Sequence, residues 1–116
     1  MPAEPQAFLP LPTLSYYVLL ALGEGDAHGW AVIKRIRELT EGTANPSSGS
    51  LYLAMVRLED DGLIAPCATP PGESEDERRR YYRLTALGRD VARAESRRLA
   101  RLVRRAGALD LLQEPK

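Results

Sequence analysis

The sequence has a single cysteine, Cys67, so no disulfide can form within the chain. It also has a single histidine, His28, far from that cysteine, and the pair cannot supply the ligand set of a zinc site. No apolar stretch is long enough to span a bilayer, the longest being Tyr16 to Leu22 and Leu109 to Leu112. The first fifteen residues hold no positive charge after the amino terminus and no cleavable apolar segment, so no export signal is expected. With the lone thiol, this suits a reducing cytoplasm. There is no glycine-rich phosphate loop, no base near a suitable serine or cysteine, and no internal repeat. An enzyme and a bound cofactor are therefore not expected.

The 116 residues suit one domain, and their 44% apolar and 28% charged content is that of a folded chain. The net charge of zero hides an uneven layout. Residues 1–77 hold four basic groups (Lys34, Arg35, Arg37, Arg57) against twelve acidic ones, a balance of −8. Residues 78–105 hold eleven arginines against Asp90 and Glu95, a balance of +9. Such asymmetry points either to a polyanionic partner or to association between unlike faces of like chains.

Residues 1–12, with prolines at 2, 5, 10 and 12, read as an extended and mobile arm. Thr13 is placed to cap a helix over Leu14 to Leu22 that is apolar nearly all round, which implies cover from a second subunit. Asp26 is placed to cap a second helix, about Ala27 to Thr40. Ser47 or Ser48 caps a third, running to Asp61, whose inward stripe is Leu51, Met55 and Leu58. Leu63 to Cys67 and Arg79 to Leu84 read as strands on either side of a Pro-Gly loop. Thr85 caps a last helix, about Ala86 to Leu109, and residues 110–116 form a tail. The fold class is mainly α with a small β-hairpin. Residues 13–85 make a winged helix-turn-helix, in which a third helix enters the major groove and a hairpin wing touches the backbone; residues 86–109 make a dimerisation helix.

Five blocks strengthen this reading: Tyr17-Val18-Leu19-Leu20-Ala21-Leu22, His28-Gly29-Trp30, Ser48-Gly49-Ser50-Leu51-Tyr52, Arg57-Leu58-Glu59-Asp60-Asp61-Gly62-Leu63-Ile64, and Arg79-Arg80-Tyr81-Tyr82-Arg83-Leu84-Thr85 followed by Gly88-Arg89. In this order and spacing they resemble the PadR family of bacterial transcriptional regulators, in its compact branch with one long C-terminal helix. The resemblance implies a homodimer built through the first and last helices, binding an inverted-repeat operator. It also implies a small aromatic effector that lowers operator affinity. Trp30 departs from the family's usual tyrosine, Ser50 from threonine, and Leu53 from a frequent proline.

The chemistry of these positions agrees with DNA binding. Ser47, Ser48, Gly49 and Ser50 give the third helix a small, hydroxyl-bearing start, where free N–H groups and the helix dipole favour a phosphate. The same serines could also be no more than a helix cap. Tyr52 either packs under the helix or sends its hydroxyl to phosphate. Arg57 either reaches DNA or pairs with nearby acids. His28, Trp30 and Lys34 are expected to anchor the backbone from the second helix, with a local cap as the other role for His28. Arg78, Arg79 and Arg80 suit phosphate or minor-groove contact at the wing. Glu59, Asp60 and Asp61 close the third helix and would repel DNA, so that end should point away.

On the last helix, Arg89, Arg93, Arg97, Arg101 and Arg105 recur every fourth residue and make a basic stripe. Ala92, Glu95, Leu99, Leu102, Ala106 and Leu109 follow a 4–3 rhythm and read as a dimer seam, with Arg98 neutralising Glu95. Tyr16, Leu19 and Leu20 are expected on the same interface. Trp30, Tyr16 and Phe8 are the available aromatic linings for an effector cavity there. The expected function is a sequence-specific transcriptional regulator, a homodimeric repressor of a nearby operon, cytoplasmic and held at the nucleoid when bound. The acidic first 77 residues motivate the alternative, a winged-helix module that docks a protein and does not bind DNA. A negative surface shared by the recognition helix and wing would favour that alternative.

Overall fold

The computed structural model describes residues 4–72 and 80–113. A 3-10 turn (Pro5–Phe8) precedes helix α1 (Thr13–Gly23). There follow a two-residue strand β1 (Ala27–His28), helices α2 (Gly29–Leu39) and α3 (Ser48–Asp60), strands β2 (Ile64–Cys67) and β3 (Tyr81–Leu84), and the long helix α4 (Ala86–Ala108). The sheet is antiparallel with order β1-β3-β2, pairing His28 with Tyr81, Cys67 with Tyr81 and Ile64 with Leu84.

The core forms where α1 meets the inward stripes of α2 and α3. Val18, Leu19, Ala21 and Leu22 of α1 pack with Val32, Ile33 and Ile36 and with Leu51, Met55 and Leu58. Leu63, Ile64 and Val91 close it from the sheet and α4. On α2, Thr40 rather than Leu39 takes the inward position. Its hydroxyl donates to the Ile36 carbonyl at 2.9 Å and accepts from Ala44 N–H at 3.1 Å. That bridge and Gly42, at φ +83°, turn the chain from α2 toward α3. Arg35 is also structural, donating to the carbonyls of Ala21 at 3.0 Å and Gly25 at 2.6 Å.

Several sequence expectations need correcting. Pro12, not Thr13, is the N-cap residue of α1, and no side chain caps that helix. His28, not Asp26, caps α2: its Nδ1 accepts from Ala31 N–H at 3.2 Å, because Asp26 lies before a strand residue that the sequence does not reveal. The proline-rich segment does not hang free over residues 4–12. It lies on α4, where Leu11 N–H donates to Glu95 Oε2 at 2.8 Å and Phe8, Leu9 and Leu11 pack on the core. The caps of α3 and α4 fall on Ser47 and Thr85. Among the described residues, no helix is long and apolar enough to cross a membrane.

Candidate nucleic-acid interface

The start of α3 is open to solvent. Ser47 Oγ accepts from Ser50 N–H at 3.1 Å and lies 3.0 Å from Ser50 Oγ. The Leu51 N–H enters the helical ladder through the Ser47 carbonyl. The N–H groups of Ser48 and Gly49 keep no partner among the described residues, and Ser47, Ser48, Gly49 and Ser50 are all exposed. Two free donors at the positive end of a 13-residue helix form a receptor for an anion. No side chain crowds Gly49, so another backbone can approach it closely. The acidic end, Glu59 to Asp61, lies at the opposite end of the helix.

Burial of Leu51, Met55 and Leu58 turns the remaining faces of α3 outward. Tyr52 is 66% exposed and does not pack under the helix. Leu53, at 70%, and Val56 are also exposed, and neither was singled out as a contact residue from sequence. Gly49, Leu53 and Arg57 recur every four residues and form one outward row. Arg57 and Lys34 are exposed, and neither pairs with a carboxylate among the described residues. Arg37, by contrast, donates to Asn45 Oδ1 at 2.6 Å.

Two separate segments converge beside α3. Trp30, in the first turn of α2, is 67% exposed. Arg80, at the foot of β3, is exposed. Together with Ser48, Tyr52, Val56 and Tyr82 they border a cavity of about 480 Å3 floored by Ile33, Leu51 and Met55. Tyr82 reaches this face because strand side chains alternate: Tyr81 is buried, its ring edge-on to His28 at 5.2 Å, and its neighbour points the other way. The alternation was legible in the sequence; its direction was not. His28 is half-buried and already uses Nδ1 as a cap, which leaves only Nε2 for any outward contact. Arg78 and Arg79 lie outside the described residues.

The expected dimer surface divides. Leu102 and Leu109 are more than half exposed, as are Leu111 and Leu112, and Val103 is 49% exposed. Leu20, Ala92, Leu99 and Ala106 are half-buried. Leu19 and Glu95 offer no surface to a partner, with 0% and 2% exposure in the single chain. Leu19 is consumed by its own core. Glu95 binds Leu11 N–H and Arg98, which donates through Nε and, at 3.2 Å, through Nη2. Arg98 first, and Leu11 N–H after it, hold the Glu95 carboxyl below its ordinary range against the opposing effect of burial. Tyr16 is half-buried and hydrogen-bonded to Ser96 at 2.7 Å. A groove of about 490 Å3 between Leu20 and Ala92 is rimmed by Arg89, Arg93 and Arg97. No aromatic residue lines it, because Trp30 lies on the α3 face and Phe8 packs on the core. The Cys67 thiol is pushed up by burial and by the Asp26 carboxylate, which keeps it protonated and poorly nucleophilic.

This fold is shared with solved regulators. A transcriptional regulator from Clostridium thermocellum aligns at 26% identity over 86% of this chain and 90% of its own, with a TM-score of 0.67. A PadR family regulator from Clostridium difficile aligns at 23% identity over 84% and 98%, with a TM-score of 0.71. Bacillus subtilis PadR, crystallised in complex with operator DNA, aligns at 20% identity over 72% of this chain and 47% of its own, with a TM-score of 0.60. Among curated sequences, an uncharacterised 37.1 kDa protein in transposon TN4556 of Streptomyces fradiae is 36% identical over 85 residues. The transcriptional regulator YqjI of Escherichia coli is 36% identical over 59 residues. These stretches span only 22% and 28% of the two proteins' own lengths. The model of the transcriptional regulator PadR-like family matches residues 18–94, from the core of α1 through the wing into α4, and the chain belongs to that family.

Proposed function

We propose that the chain is a sequence-specific DNA-binding repressor that acts as a homodimer on an inverted-repeat operator in the cytoplasm. The observation that carries this reading is the convergence of Trp30, Ser48, Tyr52 and Arg80 on one exposed face beside an unblocked helix start. The first turn of α3 enters the major groove, and Ser48, Gly49 and Ser50 meet base edges and phosphate there. Trp30 and Lys34 hold the flanking backbone from α2, with His28 Nε2 beside them. The wing arginines hold it from the other side, Arg80 with Arg78 and Arg79. Arg57 reaches phosphate from the outward row of α3. That a relative of the same fold was crystallised with operator DNA supports the assignment.

Residues 13–85 are the DNA-binding unit and α4 the dimerisation helix. The exposed leucines of α4 and its tail, with the groove beside Leu20, would be covered by a second copy. The two-fold axis then places two α3 starts about one duplex turn apart. Bound over a promoter, such a particle blocks initiation.

Fluorescence anisotropy with duplex from upstream of the protein's own gene tests the reading. Affinity should fall steeply with salt, as expected for roughly four to six phosphate contacts per subunit. Arg80→Ala should weaken binding to every sequence by a similar factor, and Ser50→Ala should change the preference among sequences. Equal affinity for all duplexes, indifferent to both substitutions, would refute it.

A further inference from the structure

Leu53 is the most exposed large apolar side chain of α3. Among the described residues it neither joins the core cluster nor lines the cavity beside α3. A single exposed leucine is ordinary on a protein surface, but this one has a particular place. It lies on the outward row Gly49, Leu53, Arg57, which runs from the helix end that carries the free N–H donors. Gly49 has no side chain, and a β-carbon there would meet nothing within 4 Å. Leu53 stands about 6 Å further along the axis and is the first side chain on the row. Ser50, three residues before it, is exposed beside the row, and Arg57 follows with an exposed guanidinium. The face therefore presents an open backbone, then an apolar group, then a cation. The isobutyl group neither donates nor accepts a hydrogen bond. Over a G·C pair it would cover polar groove atoms and strip their water without replacing it. An A·T pair presents one apolar group in the major groove, the C5-methyl of thymine. Contact between that methyl and leucine removes apolar surface from water on both sides. Discrimination thus has two parts, a gain with thymine and a cost without it.

We infer that Leu53 reads a thymine methyl in each operator half-site and so makes this chain require an A·T pair there. The inference rests on the DNA-binding reading above and names a base feature that the same site takes. Leu53 stands where the family frequently has proline, so this choice of base belongs to the chain itself.

Deoxyuridine differs from thymidine only by that methyl, which makes it the probe. Each thymine of the duplex from upstream of the protein's own gene is replaced in turn by uracil. Fluorescence anisotropy then reads the affinity of the full chain, of Leu53→Ala and of Leu53→Met. Wild type should lose about fourfold at each of two symmetry-related positions, the fold-change of one buried methyl. Leu53→Ala should bind the thymine and uracil duplexes equally at those positions. Its circular dichroism should match wild type, because the side chain lies outside the core. Leu53→Met keeps an apolar side chain of similar volume and should keep most of the discrimination. Wild type that binds the duplex and is indifferent to uracil at every position would overturn the assignment and leave DNA binding intact. So would a loss that Leu53→Ala still shows in full, since another residue would then read the methyl. A duplex that none of the three proteins binds would overturn the DNA reading and the assignment with it.

Discussion

The α-carbon of Gly88 lies against the backbone carbonyl of Leu63, so closely that a β-carbon there would stand 1.9 Å from the oxygen. Thr85 makes the same junction from the other side. Its N–H donates to the Leu63 carbonyl at 3.1 Å, and its hydroxyl caps Gly88 N–H at 2.9 Å. Residues 62–63 and the first turn of α4 are thereby locked together, which ties the base of the wing to the long helix. Gly88→Ala must displace backbone to be accommodated. It should cost about 3 kcal/mol, the upper end of overpacking penalties, read as a fall in denaturant midpoint at constant slope.

Gly49 offers the opposite case. A β-carbon there meets nothing within 4 Å, and the residue sits inside the first turn of α3. Gly49→Ala should therefore raise stability by up to about 1 kcal/mol through helix propensity. It should at the same time weaken operator binding, because the methyl group holds the DNA away. Thermal melts and anisotropy on one preparation check both signs.

Glu95 gives the fold an acid-sensitive tie. Its carboxyl is held below the ordinary range by Arg98 and Leu11 N–H, so the native state favours the ionised form. The stability this contributes is complete above the unfolded-state value of about 4.3 and is lost as pH falls through the lower native value. Glu95→Gln should cost about 2 kcal/mol at pH 7, the loss of charge-assisted hydrogen bonds to a buried group. The variant should lose less than wild type between pH 5 and pH 3. Melting temperatures across that window, paired for the two proteins, are the measurement.

The exposed leucines of α4 test the proposed dimer. Leu102 and Leu109 contribute nothing to the core of the single chain, at 56% and 54% exposure. Leu102→Glu with Leu109→Glu should leave the circular dichroism of the protomer unchanged and shift sedimentation from dimer to monomer. Operator affinity should drop with it, because two half-sites are no longer bound together. A double variant that still sediments as a dimer would place the interface elsewhere.

What was legible in the sequence was what local rules determine. The inward stripe of α3, the Ser47 and Thr85 caps and the left-handed Gly62, at φ +79°, follow from spacing and from side chains acting on their own backbone. What was hidden depends on contacts far along the chain. Strand β1 is two residues long and exists only because β3 lies beside it, and that shift made His28 rather than Asp26 the cap. Glu95 fits a heptad seam by spacing, yet its partner is a backbone N–H 84 residues earlier. Leu19 and Leu20 are adjacent on an all-apolar helix, and only packing decides that one is sealed in the core and the other keeps part of its surface exposed. Trp30, Tyr52 and Arg80 were each expected as contact residues, but the cavity they share was not legible, because it forms only when α2, α3 and the wing pack together.

Hydroxyl-radical footprinting of the upstream region, with wild type and Ser50→Ala side by side, tests most directly whether the α3 starts read DNA as a two-fold pair. Two protected windows centred about 10 base pairs apart, or a whole multiple of a duplex turn, are expected for wild type. The same spacing with altered base preference is expected for the variant. A single window, or protection spread evenly along the duplex and unchanged by the substitution, would contradict it.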